Sequence, residues 1–263
     1  MTDFRFSCTM CGNCCHDHNL PLTVDEAIAW VEGGGQIQIY CEAAAWPIAP
    51  AATEAEAAYR RRRSFAARCG TATIHVAAVL AGVVKGPCRH LGADMRCTIY
   101  DRRPLVCRIY PAEINPFFAF ETERKACPPE AWAAGEPLVA DNEPVDGATR
   151  ALIAEARRRD AEDAPRKRLL CRRLGVHIAA VAGEGFAVYP RNAGAILKAL
   201  HESKAAPADE GPDDIDWRLY SPRAAGAESL QASGFDATTE WQPSDGYWYV
   251  GAPALKMRAK AAA

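Results

Sequence analysis

Cys8-Thr9-Met10-Cys11-Gly12-Asn13-Cys14-Cys15 places four thiols within eight residues, and what those thiols hold decides how the first half of the chain folds. Two-residue spacers let consecutive sulfurs converge on one centre through a tight turn, the spacing of both zinc sites and iron–sulfur ligand loops. Gly12 and Asn13 tolerate the left-handed region and so favour a turn over a helix. A turn of that kind also aims backbone N–H groups at an anionic centre. Neighbouring side chains diverge in a strand or a helix. Cys14 and Cys15 therefore do not easily serve one tetrahedral ion together: one of them points at a second centre, or is a spare thiol.

A second cluster lies some seventy residues on. Cys88-Arg89-His90-Leu91 leads to Cys97-Thr98-Ile99-Tyr100, then to Arg103-Pro104, Cys107-Arg108 and Tyr110-Pro111, with Cys127-Pro128 trailing. One zinc site takes about four protein ligands, and so does one 4Fe–4S cluster. Cys8, Cys11, Cys14, Cys15, Cys88, Cys97, Cys107 and Cys127 thus suffice for two centres, or for one with several thiols left over. Thiolates around zinc or an iron–sulfur cube leave a net negative site, so nearby guanidinium groups lower thiolate pKa and donate hydrogen bonds. Arg103 and Arg108 are the candidates for that role. His16 and His18 are either ligands or hydrogen-bonded loop residues. Tyr100 and Tyr110 are expected to pack over the centre and exclude water.

The full chain has 263 residues, 49% hydrophobic and 24% charged, which excludes disorder for its bulk. Eleven cysteines are an odd count. With no basic n-region and apolar h-region at Met1–Gly12, they argue for reduced thiols in the cytoplasm rather than a disulfide framework. Cys41, Cys69 and Cys171 stand alone and read as small buried hydrophobes. The formal net charge is −2, and neither half is basic enough for a duplex nucleic-acid partner. No apolar run reaches the roughly 18 residues of a membrane span.

Around the two clusters, local signals outline the elements. Thr23-Val24-Asp25-Glu26 is a capping box, opening a short helix that Gly33-Gly34-Gly35 ends. Gln36–Tyr40 alternates as a strand. Thr53–Arg68 is Ala-rich with early acids and late arginines, a helix, and Arg60–Arg63 is expected on its solvated face. Ile74–Val84 is one or two buried strands. Prolines stud residues 86–130, so loops and short elements are expected there. Residues 133–148 read as a linker. Leu152–Leu174 is helical but is expected to break or kink at Pro165. Phe186–Tyr189 is a strand, and Asn192–Ser203 a helix with Ile196, Leu197 and Leu200 inward. Residues 204–216 are expected to be a mobile loop, 217–251 short strands, and Met257–Ala263 a frayed end.

The two cysteine segments together resemble the CxxCxxCC cysteine-cluster family (YkgJ type) of zinc- or iron-chelating domains. The resemblance rests on Cys8, Cys11, Gly12, Cys14 and Cys15, then Cys88 with Leu91, Cys97-Thr98-Ile99-Tyr100, Arg103-Pro104, Cys107-Arg108, Tyr110-Pro111 and Cys127-Pro128. It covers about residues 4–130 and implies metal chelation by the matching thiols. The flagellin lysine N-methylases look like members of the same family, which implies a 4Fe–4S cluster for such thiols. No G-x-G-x-x-G-type loop accompanies them here to carry methyl transfer over.

The sequence therefore predicts an α+β protein. An irregular, metal-stapled, Cys-rich domain spans 1–140, with 36–85 a family-variable insertion, and a smaller α+β region spans 150–263. The preferred cofactor is a 4Fe–4S cluster, with zinc the alternative. A protein-modifying enzyme and a metal or redox handler stay open as functions, and the C-terminal half is the surface left for a protein partner.

Overall fold

The computed structural model describes residues 3–45, 53–207, 215–242 and 246–251. In chain order the elements begin with β1 (Asp3–Phe6), β2 (His16–Leu22), α1 (Val24–Glu32), β3 (Gln36–Ala45), α2 (Glu54–Arg62), β4 (Phe65–Cys69) and β5 (Ala72–Pro87). There follow α3 (Leu105–Ile109), β6 (Glu136–Ala140), β7 (Glu143–Pro144), α4 (Gly147–Arg173), β8 (Ile178–Val181) and β9 (Gly185–Pro190). The last are α5 (Ala193–Ala205), β10 (Arg218–Tyr220), α6 (Ala224–Ala232), β11 (Ala237–Thr238) and β12 (Trp248–Gly251). Helices and mixed sheets together make the fold α+β, with the Cys-rich segment at its N-terminal side.

The chain divides into two compact units that interleave in sequence, one built from residues up to Leu20 with Val83–Arg158, the other from Pro21–Gly82 with residues from Arg159 onward. A division read along the chain does not capture that interleaving.

In the first unit β1 pairs antiparallel with β6, which turns back into β7. The stretch expected to be a linker is thus a hairpin, and its partner lies more than a hundred residues upstream, beyond the reach of local pattern. β1 also supplies two aromatic rings. Phe4 meets Phe120 at 4.9 Å and Phe6 meets Trp132 at 5.0 Å between centroids, with Phe120 against Trp132. A second apolar cluster joins Ile109 and Ala112 to Ile153, with Leu105, Ile114 and Leu152 packed on it. Between these clusters the chain from 88 to 132 is turns and single helical turns, as the prolines dictate.

In the second unit the strand order is β11-β10-β8-β3-β5. β3, β8, β10 and β11 run parallel, whereas β9 lies antiparallel to β3 and β12 antiparallel to β9. β3 alternates along its whole length, burying Ile37, Ile39, Cys41, Ala43 and Ala45. α1 forms as its capping box requires: the Thr23 hydroxyl accepts from the Glu26 amide at 3.2 Å, and the Glu26 carboxylate accepts from the Thr23 amide at 2.9 Å. α5 is capped by Asn192 and buries Ile196 and Leu200, with Leu197 half-buried.

Three expectations change. The Ala/Arg helix stops at Arg62, and Phe65–Cys69 becomes β4, pairing with β5, because Phe65, Ala67 and Cys69 alternate inward. α4 runs unbroken for 27 residues through Pro165. A proline inside a helix costs about 3 kcal/mol, and buried packing of Ala164, Leu169, Leu170 and Cys171 on either side offsets it. α6 lies within the stretch expected to hold only strands. Residues 208–214 of the expected mobile loop, and the expected frayed end, lie outside the described residues. Cys41, Cys69 and Cys171 are all buried, as expected.

Candidate metal centre

The first cysteine run folds as a loop closed by one helical turn, Asn13–Cys15. Gly12 sits at φ 73°, and the Cys15 amide donates to the Gly12 carbonyl at 2.8 Å. Glycine is required twice here. The dihedral is left-handed, and a Cβ would come within 2.3 Å of Met95 Cε, with Leu91 behind it. The Met10 amide donates to Cys8 Sγ at 3.4 Å, the N–H-to-sulfur contact expected of such a turn. His16 Nδ1 meets the Gly12 carbonyl at 3.0 Å and His18 Nδ1 meets the His16 carbonyl at 3.1 Å, so both rings are used within the loop.

The second run arrives as β5 ends. The Gly86 amide donates to Asp17 Oδ1 at 2.6 Å, and the Cys88 amide donates to the Cys15 carbonyl at 2.6 Å. Residues 88–98 then double back. Leu91 bridges Cys97, the Gly92 amide reaches the Arg96 carbonyl at 2.8 Å, and the Thr98 amide reaches the His90 carbonyl at 2.8 Å. This small hairpin returns Cys97 toward Cys88 and lays Leu91 and Met95 against Gly12. Pro104 stands at the N-terminal end of α3, which carries Cys107 and Arg108.

Arg103 is fixed just before α3. Its Nε donates to the Tyr100 carbonyl at 2.8 Å and its guanidinium carbon lies 3.6 Å from the Tyr100 ring centroid. Tyr100 itself is 62% exposed, so it backs Arg103 rather than sealing a centre from water. Arg108 is exposed, as are Arg89 and Arg96. Tyr110 does work beside a thiol: its hydroxyl accepts from the Ala126 amide at 2.7 Å and from Cys127 Sγ at 3.6 Å. Asn13 Nδ2 donates to the Ala126 carbonyl at 3.3 Å, which draws the segment carrying Cys127 to the first loop.

The electrostatics follow this geometry. Although Cys14 keeps exposed surface, the surrounding chain strips water from its thiol and pushes it up to about 12, helped by like charge on Cys15, Cys8 and Cys11. Burial likewise pushes Cys107 up to about 12, with Cys15, Cys88 and Cys97 adding to it and Arg103 opposing. Burial raises Cys15, against a hydrogen bond from Cys14; Cys88 and Cys97 add to the rise and Arg103 opposes. Burial raises Cys127, the Tyr110 hydroxyl opposes, and Cys14, Cys11 and Cys8 add to it. The sulfurs of Cys14 and Cys15 are 3.9 Å apart. All eleven cysteines are free thiols. Among the described residues, no three His, Cys, Asp or Glu side chains are yet drawn together tightly enough to hold one ion. The donor set is nevertheless all thiol, the chemistry that suits zinc and iron–sulfur centres rather than calcium or magnesium.

Residues 7–128 match a family model described as "CxxCxxCC: Putative zinc- or iron-chelating domain". This segment is similar to CxxCxxCC domains. The match begins one residue before Cys8 and ends one after Cys127, so all eight clustered thiols fall inside the CxxCxxCC domain and Cys171 falls outside it. No curated protein and no solved structure matches the chain. No helix among the described residues is long and apolar enough to cross a membrane. The thiol spacing made the CxxCxxCC domain legible in sequence. The Asn13 amide, the Tyr110 hydroxyl and the Leu91–Met95 cover over Gly12 were not, because each acts across a gap of tens of residues.

Proposed function

We propose that the CxxCxxCC domain chelates a 4Fe–4S cluster through thiols of the 8–15 loop and the 88–127 segment, with zinc the alternative occupant. The observation that carries this reading is the 2.6 Å hydrogen bond from the Cys88 amide to the Cys15 carbonyl, which joins two cysteine runs seventy residues apart. Cys8, Cys11, Cys14, Cys15, Cys88, Cys97, Cys107 and Cys127 are the proposed pool of ligands, from which any one cluster or zinc ion takes four. Bound there, a cluster supplies a compact anionic, electron-accepting centre; zinc supplies a structural staple. Support for the cluster comes from the three-thiol run on a left-handed glycine turn and from the N–H contact to Cys8 sulfur, since hydrogen bonds to sulfur are a principal means by which proteins tune such clusters. Arg103 offsets negative charge at Cys15 and Cys107.

Anaerobic purification followed by metal and acid-labile sulfide analysis tests the reading. Iron and sulfide in equal amounts, with broad visible charge-transfer absorption, are expected. Stoichiometric zinc in a colourless protein overturns the cluster in favour of zinc. Protein that retains no metal and takes none up on reconstitution overturns chelation.

A further inference from the structure

Resting on the chelating reading, we infer that the CxxCxxCC domain holds two separate four-sulfur centres: Cys8, Cys11, Cys14 and Cys127 in one, and Cys15, Cys88, Cys97 and Cys107 in the other, each taking a thiophilic metal ion or cluster.

Two independent sets of hydrogen bonds draw the line between them. Cys127 is brought to the first loop from outside the second run, by Asn13 Nδ2 on the Ala126 carbonyl and by the Tyr110 hydroxyl, which joins the Ala126 amide and Cys127 Sγ. Asn13 lies between Cys11 and Cys14, so this tie delivers Cys127 to the part of the loop that lacks a fourth sulfur. Cys15 is claimed from the other direction. Its carbonyl holds the Cys88 amide, and the 88–98 hairpin folds Cys97 back toward Cys88 through the Leu91–Cys97 bridge and the Thr98–His90 bond. The short helix beginning after Pro104 then presents Cys107.

Cys14 and Cys15 touch at 3.9 Å, yet Asn13 and Tyr110 tie the Cys127 segment to the Cys14 side of the loop, whereas the Cys88 amide ties the second run to Cys15. Successive side chains diverge from the backbone, so the Cys14–Cys15 peptide is where the two centres meet. The neighbours also differ. Arg103 donates to the Cys107 carbonyl at 3.5 Å, while the Tyr110 phenol meets Cys127 Sγ at 3.6 Å. Four thiolates fill the shell of one structural ion, and a fifth has no place in it. Eight thiols in two groups of four therefore close both shells with none spare.

The test is an anaerobic cobalt(II) titration of the full-length reduced chain, read by thiolate-to-cobalt charge transfer and by bound cobalt per chain. Saturation at about two equivalents with four-thiolate intensity is expected. Saturation at about one equivalent overturns the two-centre inference while leaving chelation intact; no uptake overturns chelation as well. Variants assign the ligands. Cys127→Ser and Cys97→Ser should each fall to about one equivalent, and the double variant C11S/C127S should stay near one. The double variant C97S/C127S should fall to near none. Loss of both equivalents in C11S/C127S, with the circular dichroism spectrum retained, overturns the assignment. Wild-type stoichiometry decides the number of centres even if a variant fails to fold.

Discussion

Arg103 is held on three sides, by the Tyr100 carbonyl at 2.8 Å, the Tyr100 ring, and the Cys107 carbonyl at 3.5 Å. A planar guanidinium pinned in this way loses little entropy on meeting an anion. It opposes the rise in pKa at both Cys15 and Cys107, so it favours the thiolate that a metal needs. Arg108 neighbours Cys107 in sequence but is exposed, and water screens an exposed charge. Spacing alone made the two arginines equal candidates; the structure separates them. Arg103→Gln is expected to weaken metal affinity about ten-fold, the lower end for an outer-sphere partner, and Arg108→Gln to change it little. Competition against a chromophoric chelator measures both. Equal affinities for R103Q and wild type would show that Arg103 only shapes the turn.

Among the helices, α4 is fixed by charge as much as by apolar packing. Lys167 has a side chain only 3% exposed and donates to Asp160 Oδ1 at 2.5 Å, and Arg63, just beyond α2, reaches Asp160 Oδ2 at 2.8 Å. Arg63 thus belongs to this network and not to a solvated face. Burial by itself would raise the Asp160 carboxyl, but Lys167 and Arg63 outweigh it and hold the pKa below its ordinary value. A depressed carboxylate contributes stability that is full above the unfolded value, near 3.9, and is lost as pH falls through the lower folded value. Asp160→Asn should therefore cost about 1–3 kcal/mol at pH 7 by leaving Lys167 buried and poorly paired, and the deficit should close below about pH 4. Urea denaturation across pH checks it; a deficit that persists at pH 3 would assign the loss to packing. The same helix shows where sequence reading stops. The capping box of α1 is legible because both partners lie within three residues. Pro165 predicts a break, but what keeps α4 whole is tertiary: Arg63, and the Val24 amide donating to Asp163 at 2.8 Å, come from far along the chain. The β1–β6 pairing and the tie of Ala126 to Asn13 escape sequence reading for the same reason, whereas the CxxCxxCC run does not, since its spacing is local.

At the scale of the whole molecule the chain passes between its two units at Leu20–Pro21, Gly82–Val83 and Arg158–Arg159, and the two are stabilised by different means. The second has a sheet whose β3, β8 and β9 bury Ile39, Cys41, Ala179, Ala180, Ala187 and Val188 completely. The first owes little to ladders between 88 and 132, where the longest regular element is the five-residue α3. Its apolar clusters around Ile109 and around Phe120 are small. A structural metal coupled to folding contributes about 10–16 kcal/mol in small domains, comparable to the net stability of an entire typical domain, about 5–15 kcal/mol. Metal removal should therefore act on one unit selectively. With a strong chelator under reducing, anaerobic conditions, hydrogen exchange is expected to accelerate over 8–15 and 88–127, while amides of β3, β8 and β9 keep their protection. Unchanged protection over 88–127 after full metal loss would mean that the thiols hold metal without holding the fold. Equal loss of protection in β3 and β9 would make both units a single cooperative block. Selective loss is the outcome that follows if metal-bound thiols join the loops of one unit, while the strands of the other are joined by their own backbone.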